Sequence, residues 1–147
     1  MISDAGDGHV DVLRELLREY AAWLGPQGCF TDLEAELAAL PGNYDALLVA
    51  SREGEAVGCV ALKPLADGAC EMKRLYVRPT GRGSGTGRAL VEASMAKARE
   101  LGYVVMRLDT LPTMDAARAL YESLGFCRID RYNDNPIEGV LFFELTL

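Results

Sequence analysis

Apolar residues near the start of the chain repeat with the period of an α-helix. The positions that share one face between residues 9 and 24 are Leu13, Leu16, Leu17, Tyr20 and Leu24. Charged residues occupy the other face, so the pattern predicts an amphipathic helix that ends at Gly25-Pro26. A second helix is predicted from Leu33 to Leu40, with Thr31 or Asp32 as its N-cap.

After residue 45 the pattern changes to that of β-strands. Apolar and β-branched residues cluster in Ala46–Ser51, Ala56–Leu62 and Cys70–Arg78, and glycine-containing turns separate these segments. The three segments predict an antiparallel meander. The last of them stops at Pro79, which cannot continue a strand ladder.

A strand–helix–strand unit follows the meander. A glycine-rich stretch opens a long helix that is predicted to end at Gly102, and Tyr103–Leu108 forms the next strand, expected to lie parallel to Cys70–Arg78. The remaining predicted elements are a helix from Thr113 or Asp115 to Leu124 and strands near Phe126–Arg131 and Val140–Leu147. The predicted fold class is α+β: a single domain, residues 1–147, with a central mixed, mostly antiparallel sheet flanked by helices.

Length, composition and charge narrow the classes of function. The 147 residues suffice for one domain with its own core, and 50% of them are hydrophobic. The formal net charge of −7 argues against nucleic-acid binding, because phosphate contacts need a basic face. The N-terminus lacks the features of a signal peptide, and no apolar run has the roughly 20 residues of a membrane helix. We expect a cytoplasmic protein with no nucleic-acid or membrane partner.

Cysteine and histidine usage does not indicate a metal site or a disulfide framework. The cysteines Cys29, Cys59, Cys70 and Cys127 form no Cys-x-x-Cys pair, and His9 is the only histidine. We expect reduced, mostly buried thiols and no metal cofactor. A lone histidine also disfavours Ser–His–Asp chemistry.

The stretch Arg82–Arg88, with the sequence Arg-Gly-Ser-Gly-Thr-Gly-Arg, lies between a predicted strand and a predicted helix. Glycines there allow the backbone to approach a ligand, and free amides at a helix N-terminus suit a phosphate or pyrophosphate. The spacing fits neither a Walker loop, which needs Lys after the glycine, nor the Gly-x-Gly-x-x-Gly dinucleotide motif. The alternative interpretation is a turn that only connects the strand to the helix.

Three motifs occur in a fixed order along the chain. Leu75–Pro79 ends a strand with Leu-Tyr-Val-Arg-Pro, Arg82–Gly87 has the form [Arg/Gln]-x-x-Gly-x-[Gly/Ala], and Ala117–Phe126 reads Ala-x-x-Leu-Tyr-x-x-x-Gly-Phe. With these motifs and this order of elements, the chain resembles the GCN5-related N-acetyltransferase (GNAT) superfamily over nearly its whole length. The resemblance implies the GNAT fold and transfer of an acetyl group from acetyl-CoA to a primary amine by direct attack.

The resemblance also implies which residues contact acetyl-CoA. These are Leu75, Tyr76, Val77, Arg82, Gly83, Ser84, Gly85, Thr86, Gly87, Arg88, Met114 and Ala117. The strand residues would pair with the pantetheine arm, and an amide at Val77 or beside it would bind the developing oxyanion. The chain departs from the family at Met114, because the family often has an Asn there that contacts the CoA arm. Met114 offers apolar contact instead.

Two residues are candidates for proton transfer. Tyr121 matches the acid of the family, which protonates the leaving thiolate; the alternative is a core aromatic. Glu71 lies where some members of the family carry a base that deprotonates the amine; the alternative is a solvated carboxylate at a strand end. Regular alternation places Glu71, Lys73, Leu75 and Val77 on one face unless a bulge changes the phase.

The acceptor is not defined by the sequence. The resemblance implies that two loops line its pocket, and these contain Trp23, Gln27, Phe30, Tyr132, Asn133, Asp134, Asn135, Pro136 and Glu138. An amino acid, a polyamine, an aminoglycoside and a protein N-terminus all remain open. The alternative functions are a CoA-binding sensory module without efficient catalysis and a protein-interaction domain. A homodimer is a reasonable expectation for either class.

Overall fold

The structure is a computed structural model that describes residues 1–25 and 32–147. Four α-helices and seven β-strands occur in these residues. In chain order they are β1 Ile2–Asp4, α1 Val10–Leu24, α2 Leu33–Ala39, β2 Ala46–Arg52, β3 Glu55–Pro64, β4 Ala69–Val77, α3 Thr86–Glu100, β5 Val105–Thr110, α4 Asp115–Ser123, β6 Cys127–Ile129 and β7 Leu141–Thr146.

The seven strands form one mixed sheet in the order β1-β2-β3-β4-β5-β7-β6. β4 and β5 are parallel, and every other pair of neighbouring strands is antiparallel. The predicted α+β class, the meander and the parallel strand–helix–strand unit are therefore confirmed. β1 was not predicted. It has only three residues, Ile2 to Asp4, which is too short for a periodic pattern.

The sheet separates two apolar clusters. α3 and α4 pack on one face, in a cluster whose fully buried members include Leu90, Val91 and Leu108. α1 and α2 pack on the other face, where Leu13 and Leu16 have no exposed surface. The helical face predicted for α1 is thus the face that covers the sheet.

The ends of the helices follow the local sequence. Asp32 caps α2 by accepting a 3.1 Å hydrogen bond from the backbone N–H of Ala35, and Gly102, at φ +91°, follows the end of α3. Of the described cysteines, Cys59 and Cys70 are buried and Cys127 is exposed, and all three are free thiols. No helix within residues 1–25 and 32–147 has both the length and the apolar character needed to cross a bilayer.

Candidate active site

The two parallel strands separate at the centre of the sheet. β4 and β5 are paired only where Ala69–Glu71 lies beside Val105–Arg107, although β4 continues to Val77 and β5 to Thr110. A cavity of about 580 Å³ opens at this gap. Its walls come from α1, β3, β4, β5, α4 and the loop before β7. On the edges that face this gap, the backbone of β4 beyond Glu71 and of β5 beyond Arg107 has no strand partner.

A β-bulge at Arg74 changes the phase of β4. Cys59 pairs with Tyr76, but Ala61 pairs with Lys73, so β4 has one more residue than β3 over this stretch. Arg74 adopts φ +59°, an uncommon conformation for a residue other than glycine.

The expectation of regular alternation from Glu71 to Val77 is therefore wrong. Leu75 and Val77 pack against the cluster that contains Met72, whereas Tyr76 belongs to the cluster on the α1 side. The bulge is the physical reason, since one extra residue exchanges the two faces of a strand.

An ion pair with α2 holds the bulge. Arg74 donates to both carboxylate oxygens of Glu36 at 3.0 and 2.7 Å, and Tyr44 donates to the same carboxylate at 2.7 Å. Burial alone would raise the pKa of Glu36, but the hydrogen bonds and charge of Arg74 outweigh burial and lower this pKa below its ordinary value. The strained residue at the cavity wall is thus held in place by a residue 38 positions earlier in the chain.

The backbone of Val77 faces the gap. The N–H of Arg78 donates to the Val57 carbonyl on β3 at 2.7 Å. Because successive residues of a strand point their N–H and C=O groups to opposite sides, those of Val77 point away from β3. The Val77 carbonyl accepts a 2.9 Å hydrogen bond from Arg82 Nε.

Tyr76 points away from the gap between β4 and β5. It pairs with Cys59 of β3, its ring packs against Tyr20 and Trp23 on α1, and its hydroxyl donates to Glu19 at 3.4 Å. Of the three strand residues implied in cofactor contact, Leu75 lines the cavity and Val77 faces the gap, whereas Tyr76 packs on α1.

The glycine-rich stretch forms the turn that opens α3. Gly85 is the N-cap of α3 at φ +80°, a left-handed conformation that favours glycine. The Ser84 hydroxyl donates to the Gly81 carbonyl at 2.9 Å and lies 3.0 Å from Thr86 Oγ1. A Cβ atom at Gly87 would lie 3.9 Å from a Val77 side-chain carbon, so the first turn of α3 lies against the end of β4.

Both arginines of the loop contact other parts of the protein. The Arg82 guanidinium lies 5.2 Å from the centre of the Trp23 ring. Arg88 donates to Glu92 at 2.8 Å and to the Ser123 hydroxyl on α4 at 3.2 Å. Both side chains are at the surface of the loop, where these contacts can be exchanged for contacts with phosphate.

Tyr121 is buried at the wall of the cavity. Its ring packs on Phe126 and Phe143, with centroid distances of 5.8 and 6.4 Å, and Met114 and Ala117 line the cavity beside it. Burial, with smaller contributions from Tyr20 and Asp109, raises the pKa of Tyr121, so the phenol is protonated at neutral pH and can donate. No hydrogen-bond partner of its hydroxyl occurs in the described part of the chain.

Glu71 is buried rather than solvated. Its exposed fraction is 5%, and it accepts hydrogen bonds from the Tyr132 hydroxyl at 2.6 Å and Asn133 Nδ2 at 3.2 Å. Lys73 Nζ lies 3.5 Å from its other oxygen. Asn133 Nδ2 also donates to Asp109 at 2.8 Å. The alternative of a solvated strand-end carboxylate is therefore wrong, and two acidic side chains share one amide at the cavity wall.

The loop before β7 forms one side of the end of the cavity that the family resemblance assigns to the acceptor. The residues of the two implied loops that line the cavity are Trp23, Asn133, Asp134, Asn135 and Pro136. Tyr132 contacts Glu71 instead. Glu138 is exposed and is not among the described residues that line the cavity. Gln27 and Phe30 lie outside the described residues.

Several lining residues were not predicted from the sequence. They are Tyr20, Lys63, Lys73, Arg74, Asp109 and Leu111. Asp109 had a usable signal, because it follows the apolar run of β5 at the carboxyl end of a parallel strand, where ligand sites collect in mixed sheets. The other lining residues had no such signal in the sequence, since their position depends on the bulge and on the packing of α1. Across the described residues, no three His, Cys, Asp or Glu side chains are arranged to hold a metal ion.

Comparison with known proteins identifies the family. The family described as "Acetyltransferase (GNAT) family" matches residues 10–126 of the chain. The chain belongs to the GNAT acetyltransferase family. Membership makes this protein an acetyl-CoA-dependent N-acetyltransferase, which confirms the family, the enzyme class and the cosubstrate expected from the motifs.

Relatives of this GNAT protein cover nearly its whole length. An uncharacterized N-acetyltransferase of Schizosaccharomyces pombe is 40% identical to this chain. The match covers 94% of this chain and 88% of the length of the relative. The IAA acetyltransferase of Azospirillum brasilense is 34% identical to this chain, and the match covers 93% of this chain and 92% of the length of the relative. The crystal structure of a GNAT-family acetyltransferase of Staphylococcus aureus has a TM-score of 0.82 at 17% identity, covering 99% of this chain and 98% of its own. At that identity, the likeness supports the fold alone.

Proposed function

We propose that the domain spanning residues 1–147 transfers the acetyl group directly to a primary amine bound at the acceptor end of the cavity. The observation that carries the proposal is the gap between β4 and β5, which exposes strand backbone beside Tyr121 on one side and Glu71 on the other. A proton donor and a proton acceptor thus line the same cavity. Direct transfer is accelerated when both groups lie at one site.

The fit to acetyl-CoA rests on three features of the chain. The first turn of α3 and the loop before it, with Gly83 and Gly85 at positive φ, present backbone amides suited to the pyrophosphate. The backbone of Leu75 and the N–H of Val77, which have no strand partner across the gap, can form hydrogen bonds with the pantetheine amides. Met114 and Ala117 of α4 line the cavity and offer apolar contact to the same arm.

The residues at the gap have separate roles in the proposed reaction. The Val77 N–H, or the amide beside it, donates to the thioester oxygen as negative charge develops there. Tyr121 donates its phenolic proton to the leaving sulfur, whose ordinary pKa of about 8.5 makes protonation useful at neutral pH. Glu71 takes a proton from the acceptor amine, directly or through a water, because an ammonium has no lone pair with which to attack.

Family membership makes the chain an N-acetyltransferase, so the alternative of a CoA-binding sensory module of the same fold concerns only whether turnover is efficient. Met114, in the position where the family often has Asn, supports it, because one CoA contact of the family is replaced by an apolar one. The buried Glu71 favours the enzyme, since a binding module has no need of a buried carboxylate at the cavity wall. Efficient turnover would decide between the two.

The first experiment is thermal unfolding with acetyl-CoA, CoA, ATP and NAD in parallel. A ligand at 100 times its dissociation constant stabilises the folded state by about 2.7 kcal/mol. We expect acetyl-CoA and CoA to raise the unfolding temperature and ATP and NAD to leave it unchanged. Release of free thiol with an amine then supports the enzyme, whereas CoA binding without release from a broad amine panel supports the sensory module. No shift with acetyl-CoA would contradict both.

A further inference from the structure

The charges of the cavity differ from those of the whole chain. The sequence has 22 acidic and 15 basic residues, but the described lining of the cavity carries as many basic as acidic side chains. The acidic ones are Glu71, Asp109 and Asp134, and the basic ones are Lys63, Lys73 and Arg74. A site for a purely cationic acceptor would be expected to share the acidic excess of the protein. This lining does not share it.

Two of the three lysines of the chain lie in this cavity. Lys63 on β3 pairs directly with Glu71 on β4, and Lys73 pairs with Ala61, two residues from Lys63. Cross-strand partners share a face of the sheet, so the two ammonium groups lie on the same face as the Glu71 carboxylate. The third lysine, Lys97, lies on α3 and forms an ion pair with Asp4 at 3.3 Å.

Neutralisation of Glu71 accounts for only one of the two lysines. Lys73 Nζ is 3.5 Å from Glu71, and its side chain is 25% exposed. Glu71 also accepts hydrogen bonds from Tyr132 and Asn133. Lys63 is exposed at the cavity rim and makes no ion pair or hydrogen bond within the described residues. Its ammonium group therefore remains available to a ligand.

Two of the three acidic side chains, Glu71 and Asp109, are more buried than Lys63, whereas Asp134 is exposed like Lys63. Glu71 is 5% exposed, and Asp109 accepts hydrogen bonds from Asn133 and Asn135 at 2.8 and 3.2 Å. The inner part of the acceptor end thus offers carboxylates to a positive group, and the exposed Lys63 offers an ammonium group to a negative one. A ligand with both charges, a few bonds apart, fits both parts.

We propose that the acceptor is a zwitterion of the amino-acid class, with its amine directed to Glu71 and Asp109 and its carboxylate held by Lys63. This inference rests on the proposed function and specifies its acceptor. In the transfer, the amine nitrogen forms a bond to the acyl carbon and the carbon–sulfur bond breaks, so no oxidant or further reactant is needed. A polyamine or an aminoglycoside would bring additional positive charges against the two lysines, which disfavours them.

The first test compares amino acids with their carboxamides. Leucine, phenylalanine and glutamate are each assayed beside the corresponding α-carboxamide, with spermidine and kanamycin as polycationic probes. Rates of thiol release are expressed per concentration of free amine, because the amine of a carboxamide has a lower pKa than that of the acid. We expect kcat/KM for at least one acid to exceed that of its amide by about tenfold or more, the effect of one charge-assisted contact. Equal or better turnover of the amides or of spermidine would overturn the proposal.

The second test removes the rim ammonium. Lys63→Met should reduce the preference for acid over amide by about tenfold, mainly through the KM of the acid. Lys97→Met is the matched control, and it should leave the preference unaltered. An equal effect of Lys63→Met on acid and amide, or an effect of Lys97→Met as large as that of Lys63→Met, would contradict the assignment.

The inference can fail separately from the proposed function. If no amine releases thiol although CoA raises the unfolding temperature, the proposed catalysis fails. Binding to the CoA-loaded protein, followed by the fluorescence of Trp23, the only tryptophan, then tests the zwitterion site by itself. Tighter binding of an acid than of its amide, lost in Lys63→Met and kept in Lys97→Met, supports the site. Equal or undetectable binding of both overturns it.

Discussion

The Tyr132 hydroxyl donates a 2.6 Å hydrogen bond to the Glu71 carboxylate. The two residues are 61 positions apart, so the loop before β7 fixes the carboxylate that β4 carries. Burial, and then the neighbouring Glu71, raises the pKa of Tyr132, and the phenol therefore remains a donor throughout the neutral range. A carboxylate that is buried and held in this way has one fixed position relative to the gap between β4 and β5.

The first prediction concerns Glu71 as the base. Glu71→Gln keeps an oxygen that can accept from Tyr132 and Asn133, so the fold is retained, but the amide cannot take a proton from the acceptor. Because general base catalysis contributes about 10²–10⁴-fold, we expect kcat to fall by about 100-fold or more. Steady-state kinetics with the same acceptor amine at several pH values measure the effect.

A matched carboxylate separates this effect from a general loss of charge. Glu100, at the end of α3 and outside the described lining of the cavity, forms a 3.9 Å ion pair with Lys97 and no other ion pair within the described residues. Glu100→Gln should leave kcat unchanged. A near-normal rate for Glu71→Gln would show that another group, or water, is the base.

The second prediction concerns Tyr121 as the acid. Tyr121→Phe keeps the ring that packs on Phe126 and Phe143 and removes only the hydroxyl, which has no partner within the described residues. We expect kcat to fall by about 100-fold while the affinity for acetyl-CoA and the free energy of unfolding change little. Tyr103→Phe, which removes a hydroxyl bonded to Asp45 outside the cavity lining, should retain full activity. Unchanged turnover in Tyr121→Phe would leave this residue a core aromatic.

Local sequence determines most of the fold. The helical face of α1, the glycine turn before α3 and the strand–helix–strand unit each depend on residues close together in the chain, and each was predictable. β1 was not predicted, since three residues carry no period of their own. Its pairing with β2, Ile2 opposite Ala50, depends on contacts across the fold.

The candidate site was less predictable, because long-range contacts determine its geometry. The motifs indicated Tyr121, Met114 and the loop, because each motif is a short run of neighbouring residues. The bulge at Arg74, in contrast, is held by Glu36 on α2, and no pattern in β4 indicates it. The burial of Glu71 likewise depends on the loop before β7, so the sequence could not distinguish a base from a solvated carboxylate.

The third prediction concerns the ion pair that holds the bulge. The side chains of Arg74 and Glu36 are 13% and 16% exposed, and Glu36→Gln removes the charge that faces the guanidinium. At pH 7 we expect the free energy of unfolding, measured in urea, to fall by about 2 kcal/mol. Glu34→Gln on the same helix, whose carboxylate is 76% exposed beside Arg18, should cost less than about 0.5 kcal/mol.

The pH dependence of this effect follows from the sign of the pKa shift. The pKa of Glu36 is lower in the folded protein than its ordinary value of 4.5, so the unfolded chain binds the proton more readily. The stabilisation is therefore fully present above pH 4.5 and is lost as the pH falls through the lowered pKa of the folded state. The difference between wild type and Glu36→Gln should shrink in that acidic range. A difference that stays constant down to pH 3, or an equal loss in Glu34→Gln, would contradict this role of the pair.

The fourth prediction concerns the backbone of the loop that opens α3. Gly85 has φ +80° and Gly54, in the turn between β2 and β3, has φ +81°, and a Cβ atom added at either glycine would have no neighbour within 4 Å. Alanine at either site is disfavoured only by the left-handed backbone, so both variants should lose about 1–2 kcal/mol of stability.

Gly85→Ala alone should also weaken acetyl-CoA binding, by about tenfold or more. The strain at residue 85 is relieved by moving the backbone amides that are proposed to face the pyrophosphate. Titration of Trp23 fluorescence with acetyl-CoA measures the affinity, and equal affinities in the two variants would show that this loop is only a turn.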